Sequence, residues 1–197
     1  MSSLSAPNID PYLRLSTKVS VMMYETMLAE KDKEKTVEFI YDRFVERYIV
    51  PLKNVAAGKE NGFLTMGVSC LLIEGLTAFR EGWPSTKGRS EEAFRLFFAR
   101  ESRFAVFRGR EKDFWKGVRC GILHQGETAQ GWRLNFSDMS KPLFQEGQKK
   151  INCRLFFTAI EEVLGDYRQE LLNSDWESTV WINFRNKMDQ TIKDCTA

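Results

Sequence analysis

Between Phe63 and Arg80 the chain reads FLTMGVSCLLIEGLTAFR. Apolar side chains there fall on almost every side of an α-helix, and a helix that is apolar all round is stable only where other elements cover it. The segment is expected to be the central, most buried helix, and the rest of the chain has to supply what surrounds it. It is not expected to span a membrane. No apolar run approaches the roughly 18 residues a bilayer needs, and the strongest, from Met66 to Phe79, is interrupted by Glu74 and by small or polar residues.

The surrounding sequence is helical nearly throughout. Pro11 behind Asp10 has the form of a helix opening, with Val19, Met22, Met23 and Met27 recurring at helical spacing up to about Lys31. A second helix is expected from Lys33, with Val37, Tyr41, Phe44 and Tyr48 on one face, ended or kinked by Pro51. Gly58 and Asn61-Gly62 mark a turn before the central helix. GWPSTKGRS (82–90) is a loop, and Ser90 followed by Glu91 and Glu92 has the form of a cap for a short helix to about Ser102. Glu111 to His124 should form another helix with Phe114, Trp115, Val118 and Ile122 inward, stopped near Gly126. Residues 131–136 alternate, with Trp132, Leu134 and Phe136 against Arg133 and Asn135, as in a short strand or hairpin arm. Two amphipathic helices close the chain, one carrying Phe156, Ile160, Val163, Tyr167 and Leu171, the other Trp176, Val180, Phe184, Met188 and Ile192. The fold class expected is an all-α bundle in a single domain.

Composition narrows the functional classes. With 43% hydrophobic and 28% charged residues the chain is that of a globular domain, and its net charge of +2 does not by itself point to nucleic acid. The opening MSSLSAPNIDPY lacks the basic and apolar regions of a secretory signal, so a cytoplasmic address is expected. Cys70, Cys120, Cys153 and Cys195 lie far apart with one histidine in the whole chain, which argues for reduced thiols and no metal or other cofactor. No G-x-S-x-G, phosphate-binding loop, G-x-G-x-x-G, D-x-D or E-x-x-H is present, so several hydrolase and nucleotide chemistries have no visible site.

What remains is RCGILHQGE (119–127), which holds the sole histidine. On a regular helix Arg119 and His124 would point about 140° apart, so they converge only where the helix loosens, and Gln125-Gly126 supplies an end there. A histidine at a helix C-terminus is favoured in its protonated form by the dipole, and a guanidinium offers a fork suited to phosphate oxygens. Together they suit metal-free cleavage of an RNA phosphodiester, the imidazole moving a proton and the guanidinium stabilising charge on phosphorus. The same spacing also describes a histidine that merely caps a helix or sits satisfied in a core.

Arg-Cys-Gly-Ile-Leu-His (Arg119 to His124) resembles the R-x4–6-H motif of the HEPN (higher eukaryotes and prokaryotes nucleotide-binding) superfamily, and the block VRCGILHQGETAQGW resembles its bacterial toxin- and defence-type members. The resemblance implies a helical bundle over most of residues 1–197, a homodimer, and a metal-independent RNase whose paired Arg and His residues line a cleft between protomers. Cys120 departs from the family pattern, where a polar residue, often asparagine, commonly follows the arginine. Dimerism would also supply two titrating groups where one chain has a single histidine.

Glu74, alone in the apolar helix, has two readings: it orients Arg119 or His124, or it reaches solvent or pairs with Arg80 or another arginine for structure. From Arg100 to Arg119 seven basic residues stand against three acidic ones, interleaved with Phe104, Phe107, Phe114 and Trp115. Arg108, Arg110, Lys112 and Lys116 are the candidates for tracking RNA phosphates, unless the rings are core and the charges a solvated face. The expected function is a metal-independent endoribonuclease acting on single-stranded RNA as a homodimer, with Arg119, His124 and Glu74 as site residues; an inhibitory protein partner is compatible with the toxin-type resemblance. The alternatives are a non-catalytic HEPN-like protein that binds RNA or a nucleotide, and a structural helical dimer or partner subunit.

Overall fold

A computed structural model describes residues 10–56, 61–136 and 140–196. The chain is mainly helical with one small three-stranded sheet, and it divides into two compact units.

The first unit comprises the described parts of Met1–Glu46, Ala78–Ser85 and Asp166–Ala197. It holds α1 (Val21–Ala29) and α2 (Lys33–Phe44), both with side-chain caps: Ser20 accepts from Met23 N and Asp32 from Lys35 N. It also holds the end of α4 (Gly62–Glu81), the last third of α8 (Cys153–Asn173) and α9 (Thr179–Thr196). The helix expected from Pro11 does not form. Asp10 Oδ1 takes the N–H of Tyr12 and Ser16 Oγ takes that of Val19, bonds that favour turns over helix and delay its start to Val21. The buried face of α1 is Val21 and Tyr24, while Met22 and Met23 stay exposed. Tyr24 packs on Phe39, and Phe184 packs on both Phe79 and Trp181.

The second unit comprises the described parts of Arg47–Thr77 and Thr86–Gly165. Pro51 does not end the helix before it: α2 passes through a wide π-helical turn, Val45–Ile49, into α3 (Val50–Ala56), with Pro51 in its first turn. A π-turn spaces its hydrogen bonds one residue further apart, and proline's missing N–H then falls where the ladder is already altered. The turn expected at Gly58 lies outside the described residues. Next come α4 (Gly62–Glu81), α5 (Ser90–Arg100), a 3-10 segment (Ser102–Phe107), α6 (Glu111–Phe114), a second π-turn (Trp115–Cys120) and α7 (Gly121–Gln125). α8 runs from Cys153 to Asn173, its first two-thirds in this unit. The core is a cluster of phenylalanines. Phe98 meets Phe94, Phe97, Phe104, Phe107 and Phe114, and Phe156 stacks on Phe114. Phe104, Phe107 and Phe114 are therefore interior groups, not rings open to a base.

The alternating stretch 131–136 does form a strand, β1 (Arg133–Asn135), but not the arm of a hairpin. Its partner is β3 (Lys150–Asn152), parallel and in register, while β2 (Phe144–Gln145) pairs antiparallel with the other edge of β3.

α4 is less enclosed than its composition suggested. Met66, Cys70, Leu72, Ile73 and Leu76 are fully buried, but Phe63, Leu64 and Leu71 are 41–46% exposed. Among the described residues it is the one helix long and apolar enough to cross a membrane, with a mean hydropathy of 1.6, because few charges stand between Gly62 and Glu81; 56% of that window is buried within the protein.

Candidate functional site

Glu74 sits on α4 where the neighbouring side chains on its inner face are apolar, and its carboxylate is met by donors from three other segments. Oε1 accepts from Arg119 Nε at 2.8 Å and from Ser90 Oγ at 2.9 Å, and Oε2 accepts from Thr86 Oγ1 at 2.9 Å. Ser90 Oγ in turn accepts from Trp115 Nε1 at 2.9 Å. An ionised carboxylate removed from water is tolerable only with such partners, and here one is a cation and two are hydroxyls. Of the two readings of Glu74, the partner is Arg119; Arg80 pairs with Glu170 instead.

Arg119 is held end-on. Burial alone would disfavour its charge, but the hydrogen bond and charge of Glu74 and a hydrogen bond with Cys120 outweigh that and hold the guanidinium above its ordinary value. Only Nε is committed to Glu74. The side chain keeps 19% of its surface open. A guanidinium fixed through Nε presents its other nitrogens as a pair with set direction, the geometry suited to two oxygens of a phosphate.

The local helix explains how Arg119 comes to be placed. The loosening expected at Gln125-Gly126 occurs upstream, in the π-turn Trp115–Cys120, and α7 then closes normally with Gly126 left-handed at φ 71°. Behind the turn, Gly117 and Gly121 let the following loop lie against the helix. A Cβ on Gly117 would stand 2.2 Å from Trp132 Cδ1, and one on Gly121 would stand 2.5 Å from the Glu127 carbonyl oxygen. Ala129 N donates to Gly117 O at 2.7 Å, closing the loop down. One side of this helix is thus sealed by residues 127–132, and α4 lies along another, with Ile122 Cγ2 3.7 Å from the Cβ position of Gly67.

His124 is exposed in the last turn of α7 and makes no hydrogen bond or ion pair with any described residue. The structure thus brings Glu74 and Arg119 together and leaves His124 unjoined to either. The four candidate RNA-binding cations divide as well. Arg108 donates from Nε to Phe98 O and from Nη2 to Ala99 O, capping the end of α5. Arg110 pairs with Glu146 and lies over Phe144, and Lys112 faces Glu91 at 3.7 Å. Lys116, three residues before Arg119, is exposed with no hydrogen bond or ion pair to a described residue.

Thr86, Ser90 and Trp115 belong to the site and were not anticipated in it. Ser90 reads as a helix cap, yet the cap position is Arg89 and the Ser90 hydroxyl is spent on Glu74. Trp115 carried a usable signal: it stands four residues before Arg119, so both side chains leave the helix on the same side.

All four thiols are free; burial pushes Cys70 and Cys153 up, the latter to about 12, so both stay protonated, whereas Cys195 is exposed. Among the described residues no three of His, Cys, Asp and Glu stand together as a metal-ligand set. Compared with protein-family models, curated proteins and solved structures, the chain matches none.

Proposed function

We propose that the protein is a metal-independent endoribonuclease of the HEPN type, a reduced cytoplasmic homodimer that cleaves single-stranded RNA. The observation that carries this reading is Arg119: a guanidinium anchored through Nε to a hydroxyl-supported carboxylate, with part of its surface open, five residues ahead of an exposed histidine. In the proposed reaction the Nη pair stabilises the charge that builds on phosphorus as the 2′-oxygen attacks. His124 transfers the proton of the 2′-hydroxyl or of the leaving oxygen, and the partner protomer's copy of the motif performs the complementary transfer. Glu74 is a positioning residue that acts through Arg119.

The dimer is supported by apolar surface beside the motif. Leu64 and Leu71 lie two turns apart on α4 with Phe63 next to them, and Leu123 on α7 is 51% exposed. A two-fold contact through this surface would bring two copies of α7 towards one another. The Leu64→Glu/Leu71→Glu variant is expected to run as a monomer in light scattering and to lose cleavage while keeping its helical circular dichroism.

His124→Ala is the direct test of the chemistry. In EDTA, cleavage of a labelled single-stranded RNA should fall by about 10³-fold, within the range for a lost general acid–base group, with thermal unfolding and dimerisation unaltered. Unchanged cleavage ends the nuclease reading. A second reading, RNA binding without cleavage, is favoured by the lack of any described group that holds the His124 imidazole. It expects salt-sensitive RNA binding and no products from the wild-type protein.

A further inference from the structure

The sheet of the second unit carries a cationic feature that the Arg119 site does not use. Register places Arg133 of β1 opposite Lys150 of β3, and Lys150 opposite Gln145 of β2. Residues paired directly across strands share a face, so Arg133, Lys150 and Gln145 form one row across all three strands. The alternate residues make the inward face. Ile151 is fully buried between Leu134 and Phe144, and Leu134 Cβ lies 3.7 Å from the Cβ position of Gly62 on α4. The row points the other way: Arg133 is exposed, and Lys150 and Gln145 are half-buried.

Like charges directly opposite each other on a sheet repel, and a fold ordinarily sets a carboxylate between them. Nearby cations are compensated in that manner: Lys149 meets Asp113 at 2.8 Å and Arg110 meets Glu146. Arg133 and Lys150 are not, since neither side chain makes a hydrogen bond or ion pair with any described residue. No carboxylate of the described chain compensates the pair, which leaves their charge open to solvent or to a bound anion.

We propose that this row is a second contact for single-stranded RNA, in which Arg133 and Lys150 take neighbouring phosphates and the Gln145 amide meets a base edge or a 2′-hydroxyl. Two cations on paired residues of strands about 5 Å apart suit a chain of repeated charges better than one small anion. The identity of that chain as RNA rests on the nuclease reading; the placement of the row does not. Gly62, against which β1 packs, and Glu74, to which Arg119 is bonded, are separated by about 18 Å along α4. A bound oligonucleotide spans that distance, so the row would add affinity at the Arg119 site without entering the chemistry.

The experiment is anisotropy titration of a fluorescein-labelled unstructured oligouridylate against full-length protein across a salt series, with His124→Ala as the background so that the probe survives. Adding Arg133→Glu and Lys150→Glu should weaken binding at least tenfold. Adding the neutral Arg133→Gln and Lys150→Gln pair, which guards against a charge reversal that fails to fold, should make the slope of log affinity against log salt shallower by about 1.4, the value for two single-strand phosphates. An unchanged affinity and slope in the neutral pair overturns the proposal, as does loss of binding to phosphatidylserine vesicles with RNA binding intact. Wild-type protein that binds oligouridylate without cleaving it, and loses the slope in the neutral pair, upholds the row while sinking the nuclease. Cleavage with unchanged KM in the neutral pair does the reverse.

Discussion

Arg80 near the end of α4 and Arg119 in the widened turn each meet a glutamate through Nε, yet their surroundings differ. In the first unit Arg80 is only 6% exposed, its Nε stands 3.5 Å from Glu170, and its guanidinium carbon lies 5.4 Å from the centre of the Tyr167 ring. In the second unit Arg119 meets Glu74 at 2.8 Å, two hydroxyls brace that carboxylate, and the far end of the guanidinium stays open. The first cation is enclosed by protein on all sides, and its charge is spent inside the fold. The second keeps 19% of its side chain open. The difference separates an arginine enclosed in packing from one left partly open, as the proposed role of Arg119 requires, although both are charged pairs taken largely out of water.

Three substitutions break or sharpen that contrast. The largest effect is expected at Arg119→Ala, which should lower single-turnover RNA cleavage by about 10³-fold, the upper range for a lost transition-state donor, with little change in urea midpoint. Arg119→Lys should restore little, because a lysine cannot keep the Nε anchor and present a fork at once. Next comes Arg80→Ala, expected to cost about 3 kcal/mol in urea unfolding as Glu170 loses its buried partner and the ring of Tyr167 its cover, while cleavage per folded molecule stays at the wild-type rate. If Arg80→Ala and Arg119→Ala shift stability and cleavage in the same proportion, the contrast is wrong. The smallest effect belongs to Ser90→Ala, which removes one donor to Glu74 and the acceptor of Trp115. A loss of about 1 kcal/mol in thermal unfolding is expected, with a modest fall in cleavage because Thr86 and Arg119 still hold the carboxylate.

The parts that were legible beforehand have local causes. Lys33 as the start of α2 follows from the Asp32 cap, and the stop at Gly126 follows from its left-handed backbone. Glu74 was singled out because a carboxylate stood in an apolar helix, and Arg119 because it stands five residues before the sole histidine. The rest misled for equally definite reasons. Pro11 resembled a helix start, but Asp10 and Ser16 captured the N–H groups a helix would have used. The alternation at 131–136 announced a strand without saying that its partner, Lys150–Asn152, would come from fifteen residues away and run parallel. Arg108, read as a phosphate ligand, closes the end of α5.

Sequence alone determined the helical character of this protein, the start of α2 at Lys33 and the stop at Gly126, since these depend on hydrophobic period and on bonds between residues a few places apart. Tertiary structure decided what surrounds the site: the two π-turns, the exposed edge of α4, and the meeting of Glu74, Thr86, Ser90, Trp115 and Arg119 from distant stretches of chain. Those outcomes depend on which surfaces pack together, where a single ångström separates a hydrogen bond from an unpaired charge, and no periodicity along one strand of sequence encodes that.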